Sequence, residues 1–171
     1  WTYGAIAANG RVSVNGIPVT NTDEMLVNVF DYGKLPAFYE QVRTDIEEMK
    51  KGGAEIIVYY MHWGNEYKIQ ENSYQNKMAQ ELCNLGVDVI VGGHPHVIQP
   101  IEQLTSADGK RKTVCIYSLG NAISNQMKSR MDLKTGHTED GALFSFTMTK
   151  KGDEPAYVSG ASYLPTWVNY K

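Results

Sequence analysis

Three of the four histidines in this chain fall where short apolar runs end. His62 directly follows the run EIIVYYM, in the string Met61-His62-Trp63-Gly64-Asn65-Glu66-Tyr67. His94 and His96 follow DVIV, in Gly92-Gly93-His94-Pro95-His96. Imidazole is a common ligand for Zn, Mn, Fe and Ni, so three converging imidazoles would approach a metal site. Taken singly, each also reads as a hydrogen-bonding group at a strand end. Pro95 lacks a backbone donor and biases His94 toward an extended conformation. Residues two apart in an extended segment project to the same side, so His94 and His96 are expected to face together. Glu66 and Glu102 lie near the histidines in sequence, as acid–base groups, as groups behind a ligand, or as solvated carboxylates. Asn121, in Tyr117-Ser118-Leu119-Gly120-Asn121, follows another apolar run. It would orient a substrate or a neighbouring group, or serve as a turn residue with positive φ. Asp31 ends the first buried run and is a further candidate, whereas His137 sits in a polar stretch and reads as solvated. Trp63, Tyr67 and Trp167 would cover a crevice, fill the core or wall a substrate.

Those side chains must be positioned by the elements around them. A short strand is expected near Trp1–Ala5 within a loop-like stretch rich in Gly, Asn and Thr, and Met25–Phe30 reads as a buried strand. A helix is expected over Pro36–Lys50, with Pro36 in its first turn and Gly52-Gly53 as its stop. Leu35, Phe38, Val42, Ile46 and Met49 give it one apolar face. Glu55–Met61 and Asp88–Val91 read as buried strands, separated by an amphipathic helix over Glu71–Leu85 that Gly86 ends. Apolar strands alternating with helices predict two successive βαβ units with a parallel sheet covered on both faces. Open parallel sheets place their ligand crevice beyond the carboxyl ends of the strands, so His62, His94 and His96 are expected to meet there. After Gly92 the pattern changes. Thr113–Ser118, Leu143–Met148, Tyr157–Tyr163 and Trp167–Tyr170 read as strands without helices between them. Turn signals at Asp108-Gly109 and Lys151-Gly152-Asp153 suit hairpins. The stretch Asn125–Asp140 is polar and reads as a mobile loop.

Composition narrows the function classes. The chain has 171 residues, the size of one ordinary domain, and 42% are hydrophobic. Sixteen basic and nineteen acidic residues give a net charge of −3, leaving no positive excess for phosphate backbones, so nucleic acid is not an expected partner. No apolar run approaches the roughly 20 residues of a membrane helix, and the first residues do not form a signal peptide. The two cysteines, Cys83 and Cys115, form no metal motif and read as separate buried thiols, a disulfide being the alternative. With Trp1 in place of an initiating Met, the chain is expected to be a piece of a longer protein.

The strings His62-Trp63-Gly64-Asn65-Glu66-Tyr67, Gly93-His94-Pro95-His96-Val97-Ile98-Gln99-Pro100 and Tyr117-Ser118-Leu119-Gly120-Asn121 resemble the CapA (PgsA) family of bacterial poly-γ-glutamate capsule biosynthesis proteins. Tyr163-Leu164-Pro165-Thr166-Trp167-Val168 and the opening Tyr3-Gly4 with Asn9-Gly10 fit as well. That family in turn resembles the calcineurin-like metallophosphoesterases. The resemblance implies an α/β fold, a βαβαβ parallel sheet followed by mainly antiparallel strands, forming part of an α/β/β/α sandwich. It implies that His62 and His94 share one metal of a dinuclear site and that His96 binds the other, with Glu66 and Asn121 as the candidates for catalytic roles. The family's earlier motifs, an Asp-bearing turn, a carboxylate-bearing turn and an Asn-His pair, would lie N-terminal to this chain, making residues 1–171 the C-terminal part of a single such domain. Two departures stand out: Gly93 replaces a usual His, and Ala122 a usual aromatic residue.

The chemistry so implied is hydrolysis or transfer assisted by two divalent ions (Zn, Mn or Fe) in the full-length protein, held weakly or not at all by this chain alone. The implied substrate is an anionic polymer or a phosphoester. The implied partners are the capsule synthesis machinery, and the implied location is the extracellular face of the cell membrane. A non-catalytic envelope module that binds polymer, and a general phosphoesterase unconnected with capsule, are the alternatives.

Overall fold

A computed structural model describes residues 28–169 with their side chains and, of the first 27, only the backbone of four short strands. These are β1 (Thr2–Gly4), β2 (Ile6–Ala8), β3 (Arg11–Val14) and β4 (Ile17–Pro18). The chain continues through β5 (Asn28–Phe30), α1 (Leu35–Lys51), β6 (Val58–His62), α2 (Ser73–Leu85) and β7 (Val89–Gly93). Then follow β8 (Ile101–Thr105), β9 (Lys112–Ile116), the short α3 (Lys128–Met131), β10 (Asp140–Thr149) and β11 (Tyr157–Trp167). The expected strand segments at Trp1, Ala5, Met25–Val27 and Tyr170, and the pair Asn9-Gly10, lie outside the described residues.

The main sheet has the order β5-β1-β6-β7-β9-β8. All its strands are parallel except β8, which pairs antiparallel with β9. The α/β class with a parallel sheet and later antiparallel strands is therefore as expected. Two expectations are corrected. The crossover through α1 does not join neighbours, because β1 inserts between β5 and β6. Nor, among the described residues, do helices cover both faces. Strand order advances in one direction through both crossovers, so right-handed connections put α1 and α2 on the same face, where they pack against each other. On β6, Tyr59 and Met61 are buried beneath them, while Val58 on the opposite face is 46% exposed.

Why these residues form these elements is plain locally. Phe38, Val42 and Ile46 are the buried stripe of α1, and Met78, Ala79, Leu82 and Cys83 that of α2. All of these but Cys83 meet Phe30, Tyr59, Met61, Ile90 and Cys115 from the sheet, and Tyr117 just beyond it, in one core. Asn72 caps α2 by accepting from the backbone N–H groups of Tyr74 (3.0 Å) and Gln75 (2.9 Å), and Gln75 Oε1 accepts from Asn72 N–H (3.0 Å). Gly86 ends it with φ 100°, a left-handed cap that suits glycine. β8 went unforeseen because only its first and fourth residues are even partly buried, so this edge strand carries no apolar alternation. The polar stretch 125–140 also proves more ordered than a mobile loop. It contains α3 and a 3₁₀ turn (His137–Glu139), and Thr138 is 2% exposed with its hydroxyl donating to Gln126 O at 2.5 Å.

Beyond the sheet, β10 and β11 form an antiparallel ribbon ten pairs long with a register shift after Thr147. A bridge from Gly120 to Gly141 joins it to the loop after β9, and a second bridge, Ile98 to Leu119, ties that loop to the segment after β7. β2, β3 and β4 form a separate antiparallel sheet.

Candidate metal centre

β6 and β7 are adjacent and in register, so His62 pairs with Gly93 and the segment after β7 begins beside the end of β6. The close approach of backbones here requires glycine. A Cβ built on Gly92 would stand 2.0 Å from Tyr117 O and 2.7 Å from Trp63 Nε1. That narrow gap carries a buried hydrogen bond, Trp63 Nε1 donating to Tyr117 O at 2.9 Å.

His62, His94 and His96 do converge. The rings of His62 and His94 have centroids 4.6 Å apart, and those of His94 and His96 6.2 Å. The route differs from the expected extended His-Pro-His. His94 has φ 98° and His96 φ 59°, both left-handed. The chain must turn sharply over the sheet edge instead of running on from β7, and this outweighs the extended bias that Pro95 imposes on His94. Side chains seldom adopt such backbone, which costs on the order of 1–3 kcal/mol per residue and concentrates at functional sites. Two hydrogen bonds hold it: Tyr67 N–H donates to Pro95 O at 2.8 Å, and Asn121 Nδ2 to His96 O at 3.3 Å.

Burial pushes His62 down to about 4, with His94 and His96 adding to the effect. Burial also lowers His94; Glu66 opposes this and His96 reinforces it. Both rings are therefore neutral near pH 7, the state in which imidazole offers a lone pair. Glu66 Oε1 lies 4.0 Å from His96 Nε2, and the ring of Tyr67 stacks near His96 with centroids 6.2 Å apart.

Asp31, Glu102 and His137 lie away from the cluster, whereas Asn121 joins it. Asp31 sits at the same sheet edge, but β1 separates its strand from β6, and its carboxylate accepts from Gly33 N–H at 2.8 Å. Glu102 accepts from Tyr117 OH at 3.3 Å, and His137 lies 3.6 Å from Asp140. Both cysteines are free and buried. Asn121 is 8% exposed, and its Oδ1 lies 3.0 Å from His96 Nδ1.

Sequence reasoning overlooked a buried amide pair that supports the site. Gln75 Nε2 donates to Gln99 Oε1 at 2.8 Å, and Gln99 Nε2 donates to the carbonyls of Lys68 (2.8 Å) and Gln70 (3.1 Å). This fastens the loop bearing Glu66 and Tyr67 to the segment after His96. Asn72-x-x-Gln75 is the spacing of a capping box, and that signal was available.

The donor chemistry suits a divalent ion in part. His62 and His94 are neutral and adjacent, yet among the described residues no three His, Cys, Asp or Glu side chains are placed to hold an ion together. What the fold and the site define is an α/β protein whose parallel sheet carries a cluster of imidazoles at its carboxyl edge.

A model of the bacterial capsule synthesis protein PGA_cap family matches residues 5–126, which include all three histidines and Asn121, and the chain belongs to that family. It is 39% identical over 120 residues to the PGA biosynthesis protein CapA of Bacillus subtilis (strain 168), covering 70% of this chain and 28% of that protein. It is 34% identical over 106 residues to the capsule biosynthesis protein CapA of Bacillus anthracis, covering 62% and 23%. The chain thus spans about a quarter of the curated relatives it matches.

Proposed function

We propose that this chain belongs to a protein of poly-γ-glutamate capsule biosynthesis, working at the cell envelope, and that the imidazole cluster is its working site. The family membership of residues 5–126, together with the convergence of His62, His94 and His96 within them, carries the reading. His62 and His94 would share one divalent ion and His96 would bind a second, with carboxylate ligands from other parts of the full-length protein. Bound there, the ions would polarise a phosphoryl or carbonyl group and supply a hydroxide. Glu66, whose Oε1 lies 4.0 Å from His96 Nε2, is the carboxylate at the cluster that would serve as proton acceptor. The substrate is an anionic polymer or phosphoester, the partners are the capsule synthesis machinery, and the site faces the outside of the membrane. No helix among the described residues is long and apolar enough to cross a membrane.

The test is made in the full-length protein of the producing cell. His62→Ala and His94→Ala should each reduce surface polymer at least tenfold at unchanged protein level. A full polymer yield from the His62→Ala/His94→Ala double variant would overturn the proposal. The rival reading is a non-catalytic polymer-binding module. That module would retain polymer binding after chelation.

A further inference from the structure

Asn121 sits where the loop after β9 meets both the His-Pro-His turn and the 126–139 segment. Its side-chain nitrogen faces three oxygens: Thr138 O at 2.9 Å, Gln126 Oε1 at 3.0 Å and His96 O at 3.3 Å. Two of these are main-chain carbonyls, which only accept. Turning the amide over would set its oxygen against them, so these partners fix which end of the amide points where. The oxygen is thereby aimed at His96 Nδ1, 3.0 Å away. An amide oxygen has no hydrogen to give, so Nδ1 must carry it. In a neutral ring Nε2 is then bare. Glu66 Oε1 lies 4.0 Å from Nε2, too far to hold a hydrogen there.

We propose that Asn121 is a positioning residue that fixes His96 in its Nδ1–H tautomer and presents the Nε2 lone pair on the Glu66 side of the site. The neutral His96 can then accept a proton or bind an electron-pair acceptor through Nε2, but cannot donate a hydrogen bond from that atom. A metal-binding histidine is commonly held this way by an acceptor on its other nitrogen. The inference deepens the proposed function, on which its significance for the site rests, while the tautomer itself follows from the protein's own hydrogen bonds.

Long-range ¹H–¹⁵N spectra of ¹⁵N-histidine-labelled, chelator-treated protein read the tautomer directly, at a pH of about 8 where imidazoles are neutral. His96→Gln assigns the signal. Wild-type His96 should show the Nδ1–H form in roughly tenfold or greater excess, the effect of one sheltered hydrogen bond. Asn121→Ala should return it to a mixture, and Glu66→Gln should leave it unchanged. If the alanine variant does not fold, Asn121→Ser, whose hydroxyl is too short to reach, takes its place. An Nε2–H form in the wild type overturns the proposal, and so does a pure Nδ1–H form that survives loss of the Asn121 amide. A parallel Co²⁺ titration separates the two readings. No binding to the full-length protein would sink the metal site and leave the tautomer standing, whereas an Nε2–H ring in a metal-binding protein would do the reverse.

Discussion

Gly92→Ala tests the packing that carries the histidine edge. The added Cβ would lie 2.0 Å from Tyr117 O and 2.6 Å from Tyr117 C, so β7 and β9 must separate by about 1.5 Å to reach an ordinary contact. Neither strand is free to yield. β7 and β9 are paired through Val91 and Ile116, Leu119 N–H donates to Gly92 O at 3.0 Å, and Trp63 Nε1 holds Tyr117 O from the side. Overpacking of a tight core costs about 1–3 kcal/mol. A buried indole N–H left without its acceptor costs about 1–3 kcal/mol more. The sum, about 2–6 kcal/mol, is a large share of the ~5–15 kcal/mol that holds an ordinary domain together. Urea unfolding followed by tryptophan fluorescence suits the assay, since Trp63 is 1% exposed and its indole is the perturbed group. With a slope of about 2 kcal/mol/M, the midpoint should fall by about 1–3 M. Gly160→Ala is the control, because a Cβ there meets nothing within 4 Å, and its midpoint should hold or rise slightly. A Gly92→Ala midpoint within about 0.3 M of wild type, with slope unchanged, would refute the reasoning.

Further outcomes follow from the same structure. Gln75→Leu and Gln99→Leu each orphan a buried amide and should cost about 1–3 kcal/mol, but the double variant should cost less than their sum by at least ~0.5 kcal/mol; strict additivity in a urea cycle would dissolve the pair. Cys83 and Cys115 should resist a thiol reagent in the native state and react only on unfolding, since both are fully buried and burial, then Glu102 and Glu71, push the Cys115 thiol up; rapid labelling of the folded chain would contradict this. The His62 ring titrates near 6.5 when unfolded and about 4 when folded, so the folded state disfavours its protonated form. Its contribution is thus complete above pH ~6.5 and is lost as pH falls toward about 4. Metal-free wild type should therefore lose more stability across that window than His62→Gln, and equal losses in urea titrations would remove the ring as the cause. The isolated chain should surrender added Zn²⁺ or Mn²⁺ on desalting, because no three ligating side chains among the described residues are placed to hold an ion together. Two ions retained per chain by elemental analysis would show that the set is complete.

The sheet edge was legible because its signals are local and strong. Two apolar runs, each ending in histidine and joined by an amphipathic helix, force β6 and β7 side by side with His62 and His94 at one edge. The His-Pro-His turn was not legible, because Pro95 argues for an extended chain and the left-handed φ of His94 and His96 is imposed by tertiary partners far off in sequence. Asn121 lies 25 residues from His96, and no spacing rule connects them. β1 escaped placement for a different reason. Three residues carry too little pattern to show that they enter the sheet between β5 and β6. One-sided helix cover also had no local signature, because it follows from the direction in which strand order advances and not from the strands themselves.

That one-sidedness bears on how the site is held. Strain of on the order of 1–3 kcal/mol at each of His94 and His96 persists only where neighbours over-determine the backbone. Here the neighbours come from the loop after β6, through Tyr67 to Pro95, and from the loop after β9, through Asn121 to His96. Both loops are themselves tied down, the first by the Gln75–Gln99 pair and the second by Gln126 and Thr138. The helix-covered core under β6 and β7 thus fixes the strand ends, while polar side chains, and not apolar packing, fix the turn that carries His94 and His96. A substitution in the core should therefore lower stability and leave the imidazole geometry of the surviving folded molecules unchanged. A substitution in the amide network should in addition loosen His96 in the molecules that remain folded.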